Sequence, residues 1–257
     1  LEHHHAGDGG HAESNVTIGM KQWRGDVRGE VETGGNWLDA IRVRAGFSDY
    51  QHTEFEGDAV GTTFYNQGIE GRLELTQAKR GGWNGTSGLQ YYSRDMRAVG
   101  DEAFVPPNTT EQLGLFTLQE LTRGPVSIEA SGRFEHTKVA APTMQLSRSF
   151  NSFSGALGLS TMVEPDIKLG ANVTRAVRAP SAEELYADGP HVATQSYERG
   201  NPLLKTEQSW GGELFLRVDK TDFNASLTGY GTKFNNYIYD VATGAQIDGL
   251  PVFQYVQ

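Results

Sequence analysis

The sequence predicts an all-β chain folded as an antiparallel up-and-down transmembrane β-barrel, and three observations carry that expectation. Apolar and polar residues alternate over segments of roughly a dozen residues or more, above the mode of about 5 or 6 for globular strands. Connections alternate in length along the chain, short near 33–39, 77–82, 123–125, 164–166 and 219–222, and long near 55–62, 97–109, 137–148, 178–205 and 240–249. No run approaches the ~20 apolar residues of a membrane helix, whereas a barrel strand needs only about 9 to 11 residues with one apolar face. A meander with one short-turn edge and one long-loop edge is the pattern of outer-membrane barrels, whose short turns are periplasmic.

Residues 1–15 read as a His-rich extracellular loop, holding His3, His4, His5 and His11 among Gly, Asp and Glu with little to bury. From residue 16 to residue 257 the chain reads as part of a barrel. Val16, Ile18 and Met20 alternate with polar residues, and Val27, Gly29 and Val31 continue out of phase after Trp23, a slip that a β-bulge would produce. Thr33-Gly34-Gly35-Asn36 is turn chemistry. The next strand is the clearest: Ile41, Val43, Ala45 and Phe47 share one face, and Arg42, Arg44, Gly46, Ser48, Tyr50, His52 and Glu54 the other.

Tyr65, Ile69, Leu73 and Leu75 then alternate against Arg72 and Glu74, and Lys79-Arg80-Gly81-Gly82 closes a turn. Trp83, Leu89 and Tyr91 begin the following strand, which leads to a loop containing Pro106-Pro107. Residues 110–121 form a strand in which Leu113, Leu115, Phe116 and Leu118 keep no single parity. Val126, Ile128, Phe134, then Phe153, Leu157, Leu159, then Ile167, Leu169 and Val173 resume clean alternation. Residues 178–205 interrupt it, and Trp210, Leu214, Leu216, Phe223 and Leu227 mark a last hairpin. The count is ten strands and a stub, and the chain reads as a piece of a longer one.

The 257 residues carry a formal charge of −10 and no cysteine. Disulfides and thiolate metal sites are therefore absent. The acidic balance argues against nucleic acid, whose phosphates need clustered Lys and Arg, and permits cationic ligands. For an enzyme there is no Gly-x-Ser-x-Gly, phosphate loop or His-Glu-x-x-His. His52 and Glu54 lie two positions apart on one pleat face, so both can reach one ion, and imidazole with carboxylate suits Zn²⁺. The spacing alone favours a solvated His-Glu pair at a strand end. His136 beside Glu135 has no partner in sequence and reads as solvated.

From Arg178-Ala-Pro-Ser-Ala-Glu-Glu-Leu-Tyr186, through Gly189-Pro-His-Val-Ala-Thr194, to Tyr197-Glu-Arg-Gly200, the sequence resembles the barrel of TonB-dependent outer-membrane receptors. Asp49-Tyr-Gln-His-Thr-Glu54, Val60-Gly-Thr-Thr-Phe64, Glu102-Ala-Phe-Val-Pro-Pro107 and Asp248-Gly-Leu-Pro-Val-Phe-Gln-Tyr255 agree, most closely with the zinc-uptake, ZnuD-like branch. The resemblance implies about half of a barrel of about 22 strands, without its plug domain. It further implies a receptor for zinc, or for a siderophore or haem, with outer-membrane lipid and, through the plug, the TonB complex as partners. No cofactor is implied; zinc is the cargo. In the resembling family plug and barrel ligands share the zinc site, and on that analogy Glu54 and His191 are the barrel's candidates.

His3, His4, His5 and His11 resemble a flexible metal-capturing loop, and the same run resembles an expression tag. Capture needs neutral imidazole and would weaken as pH falls through about 6.5. Glu183 and Glu184 fit either a metal-entry role or the acidic first turn of a helix. Arg178 is expected to anchor its loop on a lumen carboxylate. The alternative of another class is a β-rich surface module that binds a protein or glycan through its long loops.

Overall fold

The computed structural model describes residues 16–257 except 58, 101, 102, 192 and 193. The four histidines of the N-terminal run, His3, His4, His5 and His11, lie outside the described residues. The strands are β1 (Val16–Glu32), β2 (Leu38–Glu56), β3 (Ala59–Gln77), β4 (Trp83–Val99), β5 (Asn108–Arg123), β6 (Val126–Ala141), β7 (Leu146–Glu164) and β8 (Ile167–Arg178). A short helix α1 (Ala182–Tyr186) follows, then β9 (Asp188–His191), β10 (Ser196–Arg199), β11 (Glu207–Lys220), β12 (Phe223–Asn235), β13 (Tyr239–Ile247) and β14 (Leu250–Val256).

Ten strands form one curtain in the order β1 to β8, then β11 and β12. Every neighbouring pair in it is antiparallel. This is the partial up-and-down barrel the alternation predicts. The remaining strands make a second sheet, ordered β13-β14-β10-β9, in which β10 and β14 run parallel.

Register makes the two faces explicit. Val43, Leu73, Leu89, Leu115, Phe134 and Phe153 stand opposite one another in succession from β2 to β7. Leu115 and Phe153 remain 56% and 60% exposed. An apolar row left that open is costly in water, at roughly 25 cal/mol per Å², and costs nothing against lipid. On the other face Arg44, Arg72, Gln90, Gly114, Glu135 and Ser152 follow the same register. There the Arg72 Nε–Glu74 and Arg133 Nη2–Glu135 pairs, at 2.7 and 2.5 Å, are tied together because Gln90 accepts from both arginines. Gly114 has no side chain because the Arg133 guanidinium occupies that space, 2.5 Å from where a Cβ would sit.

Phe116 lies on this polar face beneath Arg72, whose guanidinium is 4.1 Å from the ring centroid. That contact explains why the apolar residues of β5 break parity: Leu113 and Leu115 face outward while Phe116 serves the polar side.

Three expectations are corrected. β1 pairs with β2 without interruption from Val16↔Glu56 to Glu32↔Ala40, so there is no bulge at Trp23. Instead Ile18 and Met20 stand opposite Glu54 and His52 on the polar face. The connections expected near 55–62 and 137–148 are short: β2 and β3 run on to Glu56 and from Ala59, and only Pro142–Met144 with Gln145 separates β6 from β7. Residues 239–256 are the β13–β14 hairpin rather than a loop before a strand. At the β2–β3 and β6–β7 connections the hydrogen-bond ladder continues where alternation lapses, and β13 and β14 belong to the second sheet, outside the curtain's period.

The short turns fall where expected. Gly81 and Gly82 both adopt positive φ in the β3–β4 turn, and a Cβ on Gly82 would lie 2.0 Å from the Thr122 carbonyl oxygen.

Within residues 178–205, α1 and Leu204 fold back onto the polar face. Ala182, Leu185 and Tyr186 of α1 join Val139, Ala141, Phe150, Leu204 and Ile238 in a buried cluster. The principal core of the chain is thus the underside of this inward cap, not the interior of the curtain.

Candidate metal site at the loop end

The cap is held by polar contacts that its sequence supplies. Ser181 and Glu184 form a reciprocal capping box: the Glu184 N–H donates to Ser181 Oγ at 3.2 Å, and the Ser181 N–H to Glu184 Oε2 at 2.8 Å. Arg178 donates to both Glu184 and Glu207, anchoring the loop as the sequence suggests. Glu183 accepts from Arg94 Nη2 of β4 at 3.0 Å. Burial pushes the Glu183 carboxyl up, but its own backbone amide, the Ser181 hydroxyl and Arg94 outweigh that and hold it below the usual carboxylate value. Both acids are therefore committed to holding the loop.

His52 sits on the polar face near the end of β2. Its ring stacks on Phe64 of β3, with centroids 4.5 Å apart and planes 12° apart, and is tilted against Tyr50. Nε2 lies 3.8 Å from Glu54 Oε1, so the two predicted residues do face one another. Nδ1 is buried without a hydrogen-bond partner among the described residues.

His191 ends β9. Its ring stacks on Phe104, with centroids 4.4 Å and planes 11° apart, and Nδ1 lies 2.7 Å from Glu198 Oε1 on β10. Gly189 is required for this approach, since a Cβ there would lie 2.8 Å from Phe104 Cα. The two histidines flank one apolar cluster of Phe104, Val105 and Ala187, against which Phe64 packs. His191 turns to Glu198 rather than to Glu54, and among the described residues no three His, Asp or Glu side chains converge on one point. His136 contacts Asn151 Oδ1 through Nδ1 at 2.8 Å, on an exposed part of the wall.

Glu198 and Tyr255 were not singled out by the sequence reading. Glu198 is 8% exposed and accepts the Tyr255 hydroxyl on Oε2 at 3.2 Å. Burial and the Glu198 charge push the Tyr255 phenol above its ordinary value, so it stays a donor. The one local signal was the alternation of Ser196 with Glu198. The partner 57 residues away left none.

Residues 5–257 match the family described as "TonB dependent receptor-like, beta-barrel". The chain belongs to that family. Its members are outer-membrane receptors rather than enzymes. Among solved structures, the TonB-dependent barrel is similar to a copper transporter, OprC, at TM-score 0.79 and 14% identity, covering 92% of this chain and 41% of that one. It is similar to the Serratia marcescens hemophore receptor HasR, solved with its hemophore HasA and heme, at TM-score 0.79 and 14% identity, covering 94% and 44%. The siderophore receptor PirA from Pseudomonas aeruginosa matches at TM-score 0.74 and 17% identity, over 94% and 44%. The barrel described here thus spans less than half the length of each.

Proposed function

We propose that this chain supplies the wall and inward cap of a TonB-dependent receptor that imports a metal ion, with zinc as cargo, in the manner of the ZnuD-like branch. The observation that carries the reading is the His52 Nε2–Glu54 Oε1 separation of 3.8 Å on the polar face. That gap is too wide for a hydrogen bond, and two zinc bonds of about 2.1 Å each reach ~4.2 Å. His191, across the Phe104 cluster, presents a second imidazole at the same end of the barrel. A plug domain would complete the ligand set and link the receptor to TonB, while the apolar face meets outer-membrane lipid. His3, His4, His5 and His11 would gather metal at the mouth.

Titrating zinc into the full-length receptor tests this. Glu54→Ala and His191→Ala are each expected to weaken binding by tenfold or more. Unchanged affinity in both would sink the assignment.

A siderophore or haem is the second reading. It is favoured by a depression of ≈ 460 Å³ on the polar face, in which Arg24, Arg28, Arg44 and Arg72 outnumber the acids Asp26 and Glu70, a net positive lining that suits an anionic chelate. Tighter binding of haem or a ferric siderophore than of zinc would select it.

A further inference from the structure

We infer that Glu198 is a positioning residue that fixes the tautomer of His191 and so decides which ring nitrogen is offered to metal. The inference rests on the zinc reading for its purpose but not for its geometry. A carboxylate accepts hydrogen bonds and, ionised, donates none. Glu198 Oε1, 2.7 Å from His191 Nδ1, therefore places the proton on Nδ1 and leaves the lone pair on Nε2. Phe104 fixes the ring plane.

Glu198 is itself oriented from both sides. Its strand β10 lies between β9 and β14, Tyr255 donates to Oε2 at 3.2 Å, and Thr194 Oγ1 approaches Oε1 at 3.4 Å. Paired rows place Glu198 opposite Gly189 and Ser196 opposite His191, so the acid reaches the imidazole diagonally across one face. A ligating histidine whose other nitrogen donates to a carboxylate is the general way proteins orient metal-binding imidazoles. Here the carboxylate is buried, and among the described residues its one ion-pair partner is His191 itself.

A neutral amide at this position makes the inference testable. In Glu198→Gln either the amide oxygen or the amide nitrogen can face His191 Nδ1, because the Tyr255 hydroxyl can donate to one or accept from the other, so the carboxylate's imposition of a single tautomer is lost. Tyr255→Phe removes a hydrogen bond from the site but keeps the carboxylate.

In the full-length receptor in detergent, zinc titrated against a competing chelator is expected to bind Glu198→Gln about 10- to 100-fold more weakly, while Tyr255→Phe binds nearly as the wild type. A merely structural role predicts comparable losses in both variants. Nitrogen-15 spectra of histidine-labelled receptor at neutral pH, assigned by the signal missing in His191→Ala, provide a metal-free readout. Wild type is expected to show the Nδ1–H form and Glu198→Gln a mixture of the two forms. An Nε2–H wild type, or a Gln variant with the wild-type spectrum, overturns the inference. If the tautomer behaves as stated while His191→Ala leaves zinc affinity unchanged, the zinc site fails and the positioning role stands.

Discussion

Arg178, the last residue of β8, grips Glu184 of α1 through two parallel hydrogen bonds, Nη1 to Oε2 at 2.8 Å and Nη2 to Oε1 at 2.9 Å. The same guanidinium reaches Glu207 at the start of β11 at 3.1 and 3.2 Å, and the Ile238 N–H donates to Glu207 as well. One planar side chain thus fastens the cap to the wall at both ends of the insertion. Lysine keeps the charge but cannot span two carboxylates. Arg178→Ala is expected to destabilise the cap by about 1.5–3 kcal/mol, towards the lower end because the side chain is 44% exposed. Hydrogen exchange of α1 should therefore quicken by roughly tenfold, with Arg178→Lys restoring only part. Wild-type protection in the alanine variant would show that the fork is incidental.

The cap's apolar underside should respond more strongly than its rim. Leu185 is fully buried against Val139, Phe150 and Leu204. Leu185→Ala is expected to cost the cap about 2–5 kcal/mol. Tyr186→Phe removes the hydroxyl that donates to the Val139 carbonyl at 3.1 Å, and should cost about 0.5–1.5 kcal/mol for the one hydrogen bond lost. Limited proteolysis between residues 179 and 206 measures both. Equal cleavage rates in wild type and Leu185→Ala would contradict the packing described.

Glu183 gives the cap a pH dependence of definite sign. Its folded-state pKa lies below the ordinary value of 4.5, so the ionised form is the one the fold favours. Its contribution is full above that value and is lost as pH falls through the lower folded one. Cap protection should be flat from pH 7 to about 5 and decline below about 4. In Glu183→Gln this component of the decline should vanish. A loss of protection centred near pH 6 would point to a different group.

Gly200 is where the returning chain crosses α1. A Cβ there would lie 2.5 Å from the Tyr186 backbone nitrogen and 2.6 Å from the Leu185 carbonyl carbon. Backbone atoms cannot move aside as a flexible side chain can, so Gly200→Ala is expected to displace the cap and expose it to protease. Gly212→Ala, with nothing within 4 Å of its Cβ, is the matched control and should leave the cap intact. Identical behaviour of the two variants would show that the crossing is looser than described.

The sequence by itself determined the curtain. Ile41, Val43 and Phe47 on one face and Arg42, Arg44 and His52 on the other follow from the two-residue period of any strand, a local steric property that needs no partner. The same holds for the turns at Gly81-Gly82 and Gly124, and for the capping box that Ser181 and Glu184 spell out within four residues. It also placed His52 and Glu54 side by side.

Only the tertiary structure decided that the insertion folds inward, that β10 pairs in parallel with β14, and that His191 meets Glu198 and Tyr255 instead of Glu54. The β10–β14 pairing and the Tyr255–Glu198 hydrogen bond join residues far apart in sequence, and His191 and Glu198, though seven residues apart, sit in an insertion with no period to read. Their register is set by where Leu185, Tyr186 and Leu204 bury themselves on the polar face. Alternation fixes which way a side chain points. Which partner it meets depends on how an irregular segment packs, and that is a property of the whole surface beneath it.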